Sequence, residues 1–263
     1  DTAPIAFETG DGVVIMCYNL SDRINCDGLF NLFCLYGNIA KIKFLKSRQG
    51  CAMIQMGNKQ AAELILKYFD GVTLFGKQIQ VCRSKQTEVQ DMQNPGNLDD
   101  GTPLMKNYIE DPGNRFRNAF LQSKSRIIEP SRTLHYFNAP PNFNIQQVRS
   151  LFQKPGLKVP SKACIFPSKQ SKFPVQKTSL GLLEWDTLEE SLEMLVLANH
   201  SVISVEGLQH PFHLKLAFSP KNIQDEKVGP DGVALSDYHS MDDASGPRKP
   251  LSSSAGMKRK LEQ

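Results

Sequence analysis

The sequence predicts an α+β fold: two ferredoxin-like βαββαβ units in tandem, each a four-stranded antiparallel sheet with two helices on one face. Three observations predict it. Strand-like runs at Val13 to Tyr18 and Gly50 to Met56 flank a helix-like apolar stripe. The same grammar returns later in the chain, with runs at Leu134 to Asn138 and Leu180 to Trp185. The offsets also agree: Asn19 to Phe33 spans fourteen residues, as does Asn138 to Phe152. Each Phe follows a Leu and precedes a Gly by four, in Leu32-Phe33…Gly37 and Leu151-Phe152…Gly156. Supersecondary grammar repeated at matching offsets marks a duplicated unit.

The elements follow in order. Residues 1–11 are a polar lead-in, and the first strand covers 13–18. Ser21-Asp22-Arg23-Ile24-Asn25 is turn and helix-cap chemistry. Leu29, Phe30, Leu32, Phe33 and Leu35 give a helix stripe over 26–35, which Gly37 ends. A strand from Ala40 to Leu45 alternates Lys41 and Lys43 with Ile42 and Phe44, and the turn Ser47-Arg48-Gln49-Gly50 leads to the third strand. Ala61, Leu64, Ile65 and Tyr68 line one side of a helix over 58–69, and the fourth strand is 78–82. The final strands 79–84 and 214–219 align, while the second unit carries a longer loop, Pro167 to Lys177.

The predicted boundaries are 12–86 for the first unit, 87–131 for a linker, 132–220 for the second unit and 221–263 for a disordered tail. Gln90 to Pro103 is rich in Asn, Asp, Gly and Pro and reads as flexible. Arg115 to Ile128 keeps Phe116, Phe120, Leu121, Ile127 and Ile128, more apolar residues than a disordered linker holds. That part is predicted to dock on the units, with a short helix near 117–123. The chain after Pro220 turns polar and ends in Met257-Lys258-Arg259-Lys260, a weak nuclear-import candidate that a solvated tail explains equally well.

Composition narrows the function classes. The chain has 263 residues, 40% of them hydrophobic, and a formal net charge of +4. That balance permits a nucleic-acid partner without arguing for one. The cysteines at 17, 26, 34, 51, 82 and 164 form no CxxC pair and read as reduced thiols of a cytosolic or nuclear protein. No apolar run is long enough to span a membrane, and no signal peptide is expected. The chain begins at Asp1 without Met, so a fragment of a longer protein is expected.

Alternation along the strands divides the residues between two faces. In the first unit Ile15, Cys17, Ile42, Phe44, Ala52, Ile54 and Met56 point to the core. Met16, Tyr18, Lys41, Lys43, Cys51, Met53 and Gln80 then share the open face, where polarizable surface meets cations. Bases need such a platform and phosphates need such cations, although strand lysines are more often plain solvation. In the second unit the open face carries His135, Phe137, Cys164, Phe166, Leu180, Leu182 and Lys215. Exposed apolar groups of that number on one sheet call for a partner, RNA or protein.

Two segments resemble the signature motifs of the RNA-recognition motif: Ile15-Met16-Cys17-Tyr18-Asn19-Leu20 and Gln49-Gly50-Cys51-Ala52-Met53-Ile54-Gln55-Met56. The family pattern has aromatics where this chain has Met16, Cys51 and Met53, and a basic residue at Gln49. Asn25-Cys26-Asp27…Phe33-Cys34-Leu35-Tyr36-Gly37-Asn38, Leu134 to Pro140 and Gly181 to Trp185 are similar to the heterogeneous nuclear ribonucleoprotein L and polypyrimidine-tract-binding protein family. The resemblance covers about 12–85 and 130–220. It implies a sheet order 4-1-3-2 and two modules packed through their helical sides with RNA faces pointing apart. It also implies single-stranded CA-rich or pyrimidine-rich pre-mRNA as the partner, and regulation of splicing and mRNA processing. Other splicing or ribonucleoprotein factors are further partners it allows. The implied location is the nucleus, with the cytoplasm also open. Residues just past each fourth strand, Ser84-Lys85 and Ser219, would extend the RNA surface.

An enzyme is not expected. His135, His200, His210, His213 and His239 form no cluster with carboxylates, and His210 and His213 lack a helix or Cys pair to make a zinc site. Glu189, Glu190 and Glu193 read as the solvated face of a helix, and no phosphate-cradling Gly loop appears. No cofactor or metal is expected. Asn19-Leu20-Ser21 and Asn199-His200-Ser201 match a glycosylation pattern that matters only in a secreted protein. The rival class is a protein-interaction module that uses degenerate sheet faces, favoured if linker or tail covers them.

Overall fold

The computed structural model describes residues 6–141, 143–166 and 178–224. The first unit runs β1 (Val14–Tyr18), α1 (Cys26–Phe33), β2 (Ile39–Phe44), β3 (Ala52–Met56), α2 (Lys59–Phe69), a small hairpin β4 (Thr73–Leu74) and β5 (Lys77–Gln78), then β6 (Gln80–Arg83). The connection adds β7 (Met105–Asn107) and α3 (Ala119–Lys124). The second unit runs β8 (Thr133–Ala139), α4 (Ile145–Ser150), β9 (Lys162–Ile165), β10 (Ser179–Glu184), α5 (Leu188–Ala198), a hairpin β11 (Val202–Ile203) and β12 (Phe212–His213), then β13 (Lys215–Phe218). The sheets are ordered β6-β1-β3-β2-β7 and β13-β8-β10-β9, with every recorded pairing antiparallel. Both follow the 4-1-3-2 order, and the first gains β7 as a fifth strand on its β2 edge.

Sequence chemistry fixes the ends of the elements. Asn25 and Asn58 cap α1 and α2 by accepting from the N–H groups of Gly28 and Ala61. Asn144 and Thr187 start α4 and α5 with reciprocal capping boxes to Gln147 and Glu190. The repeat extends to unusual backbone. Asn19 (φ 58°), just past β1, and Asn138 (φ 61°), near the end of β8, both take the left-handed region. Their side-chain amides donate to the carbonyls of Gln78 and His213, at 2.9 and 2.8 Å. Beyond the second helix of each unit, Asp70 and Asn199 each accept the N–H of the final strand, from Val81 and Leu216.

The core lies between each sheet and its helices. Ile15, Cys17, Ile42, Ala52, Ile54 and Met56 are buried with Phe33 and Ile65; Leu134, Tyr136, Leu183, Trp185 and Leu216 are buried with Phe152 and Leu195. Trp185 packs edge-on to Phe152 and donates Nε1–H to the Lys158 carbonyl. Gly181 is needed where it stands, because a Cβ there would come 2.0 Å from the Cys164 carbonyl oxygen of the neighbouring strand.

The stretch expected to be flexible, Gln90 to Pro103, is instead laid against the first unit. Leu98 and Thr102 bond across a turn, Asn97 bridges Pro103, and Leu104 is buried. β7 then pairs with β2, and Tyr108 stacks on Phe30 of α1 with ring centroids 4.3 Å apart. Asn114 closes the segment through both backbone groups of Ile39 and the Tyr108 carbonyl. The expected short helix is α3, but none of its side chains is buried, and Phe120, Leu121 and Ile127 are exposed. Docking runs through residues on either side of it: Phe116 donates its N–H to Asn38, and the Ile128 carbonyl accepts from Tyr36. Lys221 to Gln224 are also ordered, with Ile223 buried, whereas the tail was expected to begin at 221. The loop Pro167 to Lys177 and the basic end of the chain lie outside the described residues.

Helix α1 lies against α5. Gly28 permits the approach, since a Cβ there would come 2.9 Å from a Val196 methyl. Asn31 is the polar centre: its amide donates to the Val196 carbonyl, its own carbonyl accepts from Asn199, and its Oδ1 meets His200 Nδ1 at 2.9 Å. Asn31 Oδ1 is an acceptor, so the His200 proton sits on Nδ1. Nε2 has no hydrogen-bond partner among the described residues. Burial, helped by the nearby charges of Arg115, Lys215 and His213, pushes the His200 pKa down to about 3. The glutamates of α5 are not a solvated face. Glu193 accepts the Phe75 N–H and Glu189 the Gly76 N–H, both on the first unit's hairpin, while Glu190 pairs with Lys158. Burial of Glu193 raises its pKa.

Two outcomes test these features. Asn19→Ala or Asn138→Ala is expected to cost about 1–3 kcal/mol in denaturant unfolding, since it loses a hydrogen bond and places a Cβ residue without local bonding in the left-handed region. Gly at either position recovers the backbone part of that cost. His200 is neutral when folded but binds a proton when unfolded below about pH 6.5. Its contribution is fully present above that pH and is lost as pH falls toward 3. Urea unfolding across that window is expected to show stability falling by up to about 1.4 kcal/mol per pH unit from this group. His200→Asn, which does not titrate, flattens the slope.

Candidate nucleic-acid interface

Strand pairing sets the rows of side chains on the face away from the helices. In the first unit one row reads Cys82–Met16–Met53–Lys43–Met105, since Met16 pairs with both Cys82 and Met53, and Lys43 with both Met53 and Met105. The row toward the Asn19 end holds Gln80 and Tyr18, with Cys51 just before β3, and the row on the other side holds Val14, Gln55, Lys41 and Asn107. In the second unit the central row is Ala217–His135–Leu182–Cys164. Beside it Lys215 pairs with Phe137, and on the far side Thr133, Glu184 and Lys162 are paired neighbours.

The structure divides the expected contact residues into two groups. Gln80 and Lys85 are exposed, and Met16, Tyr18, Lys41, Lys43, His135, Phe137, Leu180 and Lys215 are half-buried. Cys51, Met53, Phe166, Leu182 and Ser219 are closed, as is Cys164, with exposures of 1–6%. The expectation that these line an open face is corrected, and two apolar residues from other parts of the chain account for most of it. Val89, fully buried, packs on Val14 and Met53, with Met16, Leu45 and Met105 around it. Its N–H donates to Gln55 Oε1 at 2.9 Å. In the second unit Ile223 packs with Leu182, Cys164, Phe166 and Leu180. Its N–H donates to Glu184 Oε2 at 2.7 Å. Ser219 turns the chain back toward the sheet, with its hydroxyl bonded to the backbone of Lys221. Cys51 closes at the end of the sheet where the Arg48 guanidinium sits 4.9 Å from the Tyr18 ring centroid.

Charge on the faces is largely engaged. Lys41 pairs with Asp91, and Lys43 donates to the Gln90 carbonyl. Glu184, 1% exposed, is held by Arg132, Lys162 and Thr133 besides the Ile223 N–H. Burial, aided by Arg115, lowers the Lys215 pKa. The surface that remains open is the half of each sheet formed by the first and last strands. It holds Met16, Tyr18, Gln80 and Cys82 in the first unit, and His135, Phe137, Lys215 and Ala217 in the second. Tyr18 and Phe137 occupy corresponding positions, each directly before the left-handed Asn and each with an Arg near its ring, Arg48 at 4.9 Å and Arg115 at 5.4 Å. His135 tilts against Phe137 and Phe166 with centroids 5.5 and 5.8 Å away. Such a surface offers flat polarizable rings beside cations, which suits bases and phosphates. No group of three or more His, Cys, Asp or Glu side chains is placed to hold a metal among the described residues.

Sequence reasoning missed Cys82, Arg48, Gln55, Glu184, Val89 and Ile223. The repeat carried a signal for the last four. Gln55 and Glu184 each stand two residues beyond the central position of the third strand, and Val89 and Ile223 follow the aligned Ser84 and Ser219 by five and four residues.

Residues 2–111 match the family described as RNA recognition motif, also called RRM, RBD or RNP domain, and residues 124–224 match a second RRM domain family. The chain is 37% identical over 210 residues to heterogeneous nuclear ribonucleoprotein L of Mus musculus and of Homo sapiens. The match covers 80% of this chain and 35% of each relative. The Rattus norvegicus protein of the same name matches at 37% over 33% of its length. The chain thus spans about a third of the length of these curated relatives.

Replacing Glu184 by Ala strands the Ile223 amide and two cations. It is expected to destabilise the second unit by about 2–3 kcal/mol in thermal or urea unfolding, discounted for the partial exposure of Arg132 and Lys162.

Proposed function

Because the chain belongs to the RNA-recognition-motif proteins of the heterogeneous nuclear ribonucleoprotein L and polypyrimidine-tract-binding type, we propose that it binds single-stranded RNA on the sheet faces of its two modules. The observation that carries the reading is the corresponding pair Tyr18 and Phe137. Each is half-buried on the first strand of its sheet, with an arginine beside its ring. A ring held on a strand can stack a base, and the exposed Arg48 beside Tyr18 is placed to meet its phosphate, whereas Arg115 beside Phe137 is turned inward and bonded to Asn199. The RNA class is CA-rich or pyrimidine-rich pre-mRNA, and the role is in splicing and related mRNA processing in the nucleus. The modules act as one body with their RNA faces pointing apart, a reading supported by the Asn31 contacts and the Glu193 and Glu189 bonds across α1 and α5. The first module extends to about residue 111, because β7 and Tyr108 complete its sheet and its helix face.

A second reading is a protein-interaction module. It is favoured by Val89 and Ile223, which cover part of each face with the chain's own residues.

Titration of the whole chain with CA-repeat, pyrimidine and purine RNAs at several salt concentrations separates the two. RNA binding weakens as salt rises, because phosphate contacts release counterions. Tyr18→Ala and Phe137→Ala are each expected to weaken it by about 1–3 kcal/mol per stacked base. Both folds survive, since neither ring is in the core. If no sheet-face signal moves with any RNA, the RNA reading fails and the protein-interaction reading stands.

A further inference from the structure

The two covers lie at the same place in the repeat and come from the same place in each unit's chain. Val89 and Ile223 both belong to the segment that follows the last strand, β6 or β13. Each puts one aliphatic side chain on the central residue of the third strand, Met53 or Leu182, leaving those at 6% and 1% exposure. Each is also fastened by its own N–H to the side chain two residues further along that strand, Gln55 Oε1 or Glu184 Oε2. These acceptors are buried, at 5% and 1% exposure. Lifting either cover would break the buried hydrogen bond together with the apolar contact; Gln55 Oε1 would lose its amide partner, while Glu184 would keep Arg132, Lys162 and Thr133. On the first sheet the path is secured further, since Gln90 and Asp91 engage Lys43 and Lys41.

We infer that Val89 and Ile223 stand in the place of a base on each sheet, so that RNA is read only by the half made of the first and last strands. The inference rests on the RNA-binding reading above and narrows it. The first module then reads with Met16, Tyr18, Gln80 and Cys82. The second reads with His135, Phe137, Lys215 and Ala217. Met53 and Leu182, which sit where a second base would stack on the third strand, take no part. Specificity therefore lies in the edge groups of the last strands, Gln80 and Lys215, rather than in a two-base platform.

Methyl-detected NMR of the full chain tests this, with a CA-repeat RNA, a pyrimidine RNA and the Val89→Ser/Ile223→Ser double variant. In the unaltered protein the RNA is expected to shift the Met16 and Ala217 methyls and leave those of Met53 and Leu182 in place. In the double variant Met53 and Leu182 join the shifting set. The shortest oligonucleotide that retains full affinity then lengthens by one nucleotide per module. Equal shifts at Met53 and Met16 in the unaltered protein overturn the inference, because the cover then yields to RNA. A double variant that stays folded, with Met16 and Ala217 shifting but Met53 and Leu182 still silent, overturns it as well. If no sheet methyl moves in either protein, it is the RNA reading that fails, and this inference falls with it.

Discussion

An antiparallel sheet has two faces, and in a βαββαβ unit the helices cover one. The other face must be left polar, given to a partner or closed by more chain. Both sheets here carry apolar groups on that face, Val14, Met16 and Met53 in one and Leu180, Leu182, Cys164 and Phe166 in the other. The helices cannot help, because they lie on the opposite face, where α1 of one unit meets α5 of the other across Gly28 and Val196. The connection and the segment after β13 supply the missing cover instead. Much of the non-helical architecture follows from that need, including the crossing path of residues 88–91, the added strand β7 and the turn at Ser219.

Magnitudes indicate what such a cover does to a binding face. Burying a Val or Ile side chain stabilises by roughly 1.5–3 kcal/mol. A stacked base contributes about 1–3 kcal/mol. The two are of the same size, but the cover also holds a buried hydrogen bond and is attached to the chain, so it loses no translational freedom on closing. A base competing for Met53 or Leu182 is therefore at a disadvantage. No apolar cover packs on Tyr18 or Phe137; each ring has a guanidinium over it, Arg48 or Arg115, and the exposed Arg48 can give way to a base more readily than a buried cover. The departure from aromatics at Cys51 and Met53 makes physical sense in this light. A thiol and a thioether fit under other side chains more readily than a flat ring does.

The architecture was legible in the sequence because it rests on local rules. Alternation placed Ile15, Cys17, Ile42 and Ile54 inward and Met16, Tyr18 and Lys43 outward, as the strand register has them. Asn19 and Asn138 punctuated both units at the same offset. The covers were legible only through the repeat, as apolar residues shortly after the aligned Ser84 and Ser219; within their own polar, irregular segments nothing shows where they return in space. Gln90 to Pro103 has the composition of a flexible linker, and nothing within it announces that Val89 is anchored by Gln55, thirty-four residues earlier. Composition also misplaced the glutamates of α5. A helix with Glu189, Glu190 and Glu193 reads as solvated until the hairpin amides of Phe75 and Gly76 are brought to it. The linker helix was foreseen from its apolar residues, yet those in α3 face outward, and Tyr36 is met by Ile128 further on.

The seam between the units shows why a polar cluster can fix a geometry that apolar contact alone would leave loose. Val196 against Gly28 sets how close α1 and α5 come, but smooth apolar surfaces slide. Asn31 removes that freedom, because its donor, its acceptor and its backbone carbonyl each meet a different group, on Val196, His200 and Asn199. Asn199 is itself committed to the Leu216 amide of β13 and to Arg115 of the connection. One asparagine on the first unit is thus tied to the last strand of the second sheet and to the chain that joins them. His200 takes a left-handed backbone (φ 63°) where the first unit has Gly71, and its neutral ring completes the set. A shift of one helical turn along this seam would leave several buried polar groups without partners, each costing about 1–3 kcal/mol. The register of the two units is therefore specified by hydrogen bonds, and their closeness by a missing side chain.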